Sequence, residues 1–267
     1  MPSTLMAGFL YLGAGIGMAT MALIKRASGK PGTESPLTRE ELSYTIAMVV
    51  LDIAAPICML FGLTMTTAAN ASLLNNFEIV ATAIIALMVF REAISPRLWL
   101  GILFVTASCS LLSFEDISSL QFNSGSLFVL LACICWGIEN NCTRKLSSKD
   151  PLQIVVIKGI FSGLGSVIIG FIIREQISHI WTVPIVLLLG FVSYGLGVYY
   201  YVYAQRVLGA ARTSAYYAVA PFIGVFLSLL IFHEVPGPLF IAALLLMIVG
   251  AWLSSQDKPL KEVFFKR

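Results

Sequence analysis

Long apolar runs, each close to the roughly 20 residues that a helix needs to cross about 30 Å of hydrocarbon, recur along this sequence and leave few folds open to it. Nine such blocks can be read, at 5–24, 43–66, 71–90, 98–114, 125–143, 152–173, 183–205, 213–232 and 238–254. Between them lie short turns rich in proline and glycine, such as Lys30-Pro31-Gly32, Ser95-Pro96, Asp150-Pro151 and Pro236-Gly237-Pro238. No block alternates polar and apolar residues with period two, which argues against a membrane β-barrel. With 58% hydrophobic and 12% charged residues, the chain has too little polar surface to cover a water-facing globule. The sequence therefore predicts an all-α, polytopic transmembrane bundle of nine helices in a lipid bilayer.

The first block lacks the basic leader of a signal peptide; Lys25, Arg26 and Lys30 follow it. Threading nine helices from an outside N-terminus gathers 15 of the 17 Lys and Arg residues on one side, which the positive-inside rule makes the cytoplasm. Arg174 lies opposite and Lys158 inside a block. The expected location is the cytoplasmic (inner) cell membrane, with the C-terminus in the cytoplasm.

An internal repeat refines the architecture. Ala68-Ala69-Asn70-Ala71-Ser72 and Ala210-Ala211-Arg212-Thr213-Ser214 are one phrase at an offset of 142 residues. The register continues without a gap through Phe90/Phe232, Glu92/Glu234, Pro96/Pro238, Leu103/Leu245 and Ser113/Ser255. Five helices, an odd number, separate the copies, so the two cross the membrane in opposite directions. Such inverted repeats give alternating access around a site near the midplane. The expected domains are a first repeat of four helices at 1–116, a second of five at 117–257 and a basic tail at 258–267. Helix 125–143 has no counterpart within the chain. The reading expects either a further apolar helix encoded upstream of Met1, or a nine-helix protein that fills the gap, for instance as a homodimer.

Taken together, the Ala-Ala/Ser helix starts, the helix-ending Glu92 and Glu234, Trp136-Gly137 and Pro221 resemble the EamA family of the drug/metabolite transporter superfamily. The usual first helix of that family is missing. The resemblance covers nearly the whole chain and implies export or exchange of a small metabolite.

Ionisable side chains inside spanning helices are costly and mark functional sites by default. Asp52, Glu78, Glu139 and Lys158 qualify. At 1.5 Å per residue, Asp52 and Glu78 lie about 14 and 18 Å from the cytoplasmic ends of their helices, near mid-depth, and are expected to share a polar cavity. Glu139 and Lys158 sit at similar shallower depth on consecutive helices and are expected to pair. Asn75 and Asn76, beside Glu78, can offer neutral hydrogen bonds to a solute. Tyr194 and Tyr201, seven residues apart on one face, and Tyr216 on the next helix are candidate cavity liners. These nine residues form the substrate or proton-coupling set. Gly13-x-x-x-Gly17 and Gly159-x-x-x-Gly163 read as small faces for close helix packing.

Other classes find less support. His233-Glu234 starts a zinc-protease motif that no second histidine completes, and neither a Gly-x-Ser-x-Gly elbow nor a P-loop occurs. Five cysteines in or beside apolar blocks, with only two histidines, suit packing better than metal. No cofactor, metal or nucleic-acid partner is expected, and no enzymatic activity. A small solute, the bilayer and protons are the expected partners. An intramembrane enzyme or a non-transporting scaffold is the alternative.

Overall fold

The computed structural model describes residues 1–28, 34–66, 71, 74–113, 124–177, 179–219, 223, 226–227 and 238–255. The described residues form helices α1 (Ser3–Ala27), α2 (Leu42–Met65, entered through a 3₁₀ turn at Arg39–Glu41), α3 (Phe77–Met88), α4 (Pro96–Ser113) and α5 (Ser124–Leu146). They continue as α6 (Pro151–Ile172), α7 (Thr182–Leu189), a π-helical turn at Gly190–Leu196, α8 (Gly197–Leu208), α9 (Ala210–Tyr217) and α10 (Pro238–Ser255). There is no strand among the described residues. Ala68–Asn70, Ser72, Pro221, Glu234 and the basic tail lie outside them.

Each start and stop follows from local chemistry. Asp150 caps α6 by accepting from Leu152 N at 2.9 Å, with Pro151 at the first helical position. Gly209, at φ 87°, turns the chain between α8 and α9, a left-handed conformation that glycine adopts without steric cost. Five helical segments, 3–27, 39–65, 124–146, 151–172 and 182–208, are long and apolar enough to cross a membrane. Their outward faces carry Leu23, Ile168, Ile172, Ile185 and Leu188, all exposed. Such surfaces suit hydrocarbon and not water. The chain is a helical membrane bundle.

It divides into two compact units, each drawing on both repeats. Unit 1 comprises Met1–Ile57 and Cys142–Arg206; unit 2 comprises Cys58–Asn141 and Val207–Arg267. The chain changes unit inside α2, just after Pro56, inside α5 after Asn141, and at the end of α8.

Within unit 1, α1 runs antiparallel to its repeat counterpart α6. Gly15 meets Gly159 and Ile160, Gly8 meets Gly163 and Val167, and Leu5 meets Gly170. The absence of side chains lets the two backbones touch. The other side of α1 does the same toward the seventh span, where Gly13 lies against the Leu187 backbone and Gly17 against the Phe191 ring. Both predicted small-residue faces thus serve close packing. At one end of the unit, Arg206 Nη1 donates to both carboxylate oxygens of Glu34, at 3.0 and 3.1 Å, while its Nε and Nη2 donate to the carbonyls of Ser147 and Lys149. Lys149 reaches Glu41 at 3.0 Å. Segment 34–41 is thereby tied to the α5–α6 turn.

Within unit 2, α4 and its counterpart α10 are also antiparallel. Gly101 lies against Gly250 and Ser254, while Ser108 donates to the Ala243 carbonyl. The 142-residue offset turns 101 into 243 and 108 into 250. The two contacts are therefore one contact, repeated by the pseudo-two-fold. α3 and α9, which lie in different parts of the third pair of repeat-related blocks (71–90 and 213–232), join the same core through Ala83, Ala86, Ala211 and Ala215. Glu92 closes it by accepting from Ala210 N at 3.2 Å, a carboxylate at the electropositive start of α9.

Candidate functional site

Each unit buries a polar centre among its described residues. In unit 1, Asp52 is 1% exposed at its side chain and Lys158 9%. Lys158 Nζ lies 3.6 Å from Asp52 Oδ1, and the Tyr11 hydroxyl donates to the same oxygen at 2.9 Å. The Tyr194 ring stands edge-on to Tyr11 with centroids 5.2 Å apart. Three helices of the first repeat pair and its neighbours thus contribute one group each, and a fourth is added from the π-helical turn. Ser162, one turn beyond Lys158 on α6, is fully buried, and its hydroxyl meets no partner among the described residues.

Backbone irregularity accompanies this centre. Pro56 has no N–H, so it cannot donate to the carbonyl of Asp52 four residues earlier, and the ladder of α2 is interrupted beside the carboxylate. The counterpart of α2 is the seventh span, and the 142-residue offset carries Asp52 onto Tyr194. Tyr194 lies within Gly190–Leu196, the π-helical turn. Such turns are costly and cluster at functional sites. Both copies of this helix are therefore irregular at one repeat position, and both irregular positions meet Tyr11.

Unit 2 is different in kind. Asn140 on α5 donates to Glu78 Oε1 on α3 at 3.0 Å and lies 3.4 Å from the Thr82 hydroxyl. Asn141 donates to the carbonyls of Thr82 at 3.0 Å and Gly137 at 2.8 Å. The Cys133 thiol approaches the carbonyls of Leu74 at 3.5 Å and Asn75 at 3.7 Å. Gly137 makes the approach of α5 possible, because a Cβ there would meet the backbone of Ala81 and Thr82. The result is a continuous polar strip between α3 and α5.

The sequence-derived set divides between these centres. Asp52, Lys158 and Tyr194 come together in unit 1, with Tyr201 half-buried farther along α8. Glu78 and Asn75 belong to the strip of unit 2, with Asn76 half-buried beside them. Glu139 is buried on α5 and Tyr216 half-buried on α9, also in unit 2. Lys158 meets Asp52, 106 positions away in sequence. Sequence reasoning missed Tyr11, Thr82, Asn140 and Asn141. The last three carried a signal, since Thr82 is one turn from Glu78 and a tandem amide inside an apolar helix is itself unusual. The cysteines are free thiols, three of them buried, and no metal-binding group of His, Cys, Asp and Glu occurs among the described residues.

A bundle with antiparallel repeat pairs and mid-helix charge is the architecture of a membrane carrier. The chain belongs to the EamA-like transporter family, whose model it matches twice, over residues 1–114 and 123–256. It is 28% identical over 219 residues to an uncharacterized transporter of Methanothermobacter thermautotrophicus, a match covering 77% of this chain and 62% of the relative. It is 20% identical over 205 residues to the uncharacterized transporter YyaM of Bacillus subtilis, covering 73% of this chain and 67% of that one. The chain thus spans under two thirds of the archaeal relative's length. One crystal structure, 14% identical, shares the fold at a TM-score of 0.79 over 96% of this chain and 88% of the other.

Proposed function

We propose that this protein is a secondary transporter that exports or exchanges a small metabolite across the cytoplasmic membrane by alternating access, coupled to protons. In this reading residue 1 lies outside and residue 267 in the cytoplasm, as the distribution of basic residues favours. One observation carries the proposal. The two repeat-related spans, α2 and α7–α8, are both interrupted at the same repeat position, and an ion pair with an aromatic clasp is buried there. Interrupted segments at corresponding positions of two inverted halves are where transporters place their binding and coupling groups. A purely structural pair would not need an irregular backbone in both copies.

In this scheme Asp52 takes up and releases the coupling proton. Protonation neutralises the carboxylate, weakens its hold on Lys158 and lets the helices of unit 1 repack. The strip of Glu78, Asn75 and Asn140 holds the solute. The test is flux in proteoliposomes holding the purified chain, with and without an imposed pH gradient. Gradient-dependent flux that is lost in Asp52→Asn is the expected result. Flux indifferent to the gradient removes the proton from the scheme, and no flux from folded protein removes the transporter.

A further inference from the structure

Residues 34–47 lead into and begin α2, and none of them is buried; Met48 is the first that is. Leu37, the one large apolar residue of the lead-in 34–41, is half-buried. What holds segment 34–41 in place is polar. Arg206 Nη1 donates to Glu34, and Lys149 Nζ lies 3.0 Å from Glu41 Oε1. Asp150 N donates to the Ser35 carbonyl at 2.9 Å, and Leu37 N donates to Gln153 Oε1 at 2.8 Å. The side chains of both ion pairs are between 18% and 28% exposed. We infer that segment 34–41 is a releasable strap with Arg206 as its catch: when Arg206 lets go of Glu34, the strap lifts from α6 and α8 while the rest of unit 1 stays folded.

Half-exposed ion pairs contribute little net stability, because water competes for both partners. Lifting the strap uncovers little of its own apolar surface, and water can replace each bond it gives up. The contrast is α1 on α6, where glycine backbones touch and parting would forfeit close packing. Segments fastened by polar bonds alone open at the low end of the local-stability range. The strap also keeps its shape when free. Glu41 Oε2 accepts from Thr38 N at 2.8 Å and from Thr38 Oγ1 at 2.6 Å, a capping box closed within the segment. Arg206 is the fixed half of the catch. Its Nε and Nη2 donate to the carbonyls of Ser147 and Lys149, and its Cζ lies 5.2 Å from the Tyr203 ring centroid. The Glu34 carboxylate bonds to Arg206 alone among the described residues, so it is the half that moves. Downstream, the ladder of α2 is broken at Pro56. The piece Leu42–Ala55, which carries Asp52, is thus bounded by the strap at one end and by a break at the other. Resting on the transport reading above, release of the strap is the step of the cycle that lets this piece shift.

Hydrogen exchange of the full chain in detergent tests the strap directly, read at the amides of Leu37 and Asp150, which donate across the contact. Both should exchange faster than the amides of mid-α6 by about tenfold or more. Glu34→Gln removes one charge and leaves the carbonyl bonds of Arg206 in place. It should speed exchange at both amides by about threefold to tenfold, with α1 and α6 unchanged. Arg206→Gln should do more; should it fail to fold, Glu34→Gln decides alone. Protection at Leu37 and Asp150 equal to that of α6 overturns the inference. So does a Glu34→Gln variant that leaves both amides unaltered, or that loosens α1 and α6 as much. For the part played in transport, Ser35→Cys and Ser148→Cys, at two exposed positions, are bridged with a bismaleimide. Bridging should stop a flux in proteoliposomes that the unbridged double variant sustains. Flux that survives complete bridging overturns the role of release in the cycle. Absence of flux from the unaltered chain removes the transport reading instead, and the exchange result then decides the strap by itself.

Discussion

The two units solve the same problem, polar groups at the depth of lipid tails, by opposite means. Unit 1 sets charge against charge, Lys158 on Asp52, with one phenol completing the pair. Unit 2 sets a carboxylate against a neutral amide, Glu78 on Asn140. An ion pair removed from water is stable only while both partners stay; lose one and the other is stranded. An amide-solvated carboxylate depends little on any one neighbour. The first arrangement is suited to a switch thrown by one proton, the second to a seat that must accept and release a guest. The repeat makes the contrast sharper. Asp52 maps onto Tyr194, which returns to the same centre, whereas Glu78 maps onto Ala220, so the acidic strip has no acidic counterpart in the second copy.

The largest effects should come from breaking unit 1. Asp52→Asn or Lys158→Met alone should each cost about 3–5 kcal/mol of folding free energy, because each strands a buried charge. The double variant should recover most of that loss. Glu78→Gln keeps an oxygen for Asn140 to donate to, and should cost less than about 1.5 kcal/mol. Unfolding of all four proteins in mixed micelles measures this directly. Equal losses from Lys158→Met and Glu78→Gln, or a double variant no better than its singles, would erase the distinction between the units.

Next in size is the phenol. Tyr11→Phe keeps the ring against Tyr194 but removes the donor to Asp52, and bonds to a charged partner contribute about 1.5–3 kcal/mol. Tyr194→Phe keeps the edge contact and should cost less. If the hydroxyl acts on proton uptake, Tyr11→Phe also shifts the pH at which flux is half-maximal, a change that packing loss would not produce.

Much of this was legible in the sequence, and the rest was hidden for identifiable reasons. Blocks 43–66 and 152–173 became α2 at Leu42–Met65 and α6 at Pro151–Ile172, because hydropathy and a proline or acidic cap fix such boundaries locally. Block 183–205 became three pieces, since a π-helical turn has the same composition as the α-helix around it. The depths of Asp52 and Lys158 could be counted along their helices, but not which faces would meet. That depended on α1 and α6 touching through glycines, a tertiary fact. Tyr11 was invisible for the same reason; it reads as one aromatic among several until Asp52 is brought to it. Asn140 was overlooked beside the louder Glu139, though a neutral amide is the cheaper group to bury and the better partner for a carboxylate.

The smallest expected effects concern the repeat pairs themselves. In unit 1, a Cβ on Gly159 would clash with the backbone of Gly15 and Tyr11, with Gly15 N nearest. Backbone cannot rotate away, so α1 and α6 would have to separate. Gly159→Ala should cost about 1–3 kcal/mol by overpacking. In unit 2, a Cβ on Gly250 first meets the Val105 side chain at 2.8 Å, then its backbone at 2.9 Å. Part of that strain can be relieved by a valine rotamer, so Gly250→Ala should cost less. Gly197, where a Cβ meets nothing within 4 Å, supplies the reference: Gly197→Ala should be neutral or stabilise by up to about 1 kcal/mol, since alanine is the better helix former. The ranking has a functional corollary. Tyr11 lies on the α1 face that Gly159 holds, so forcing α1 outward also draws the phenol from Asp52. Gly159→Ala should then lower flux beyond what its folding loss explains, while Gly250→Ala should lower flux and stability together. If both variants fall on one line of flux against stability, the two pairs are equivalent scaffolds and α1 has no special part in the site.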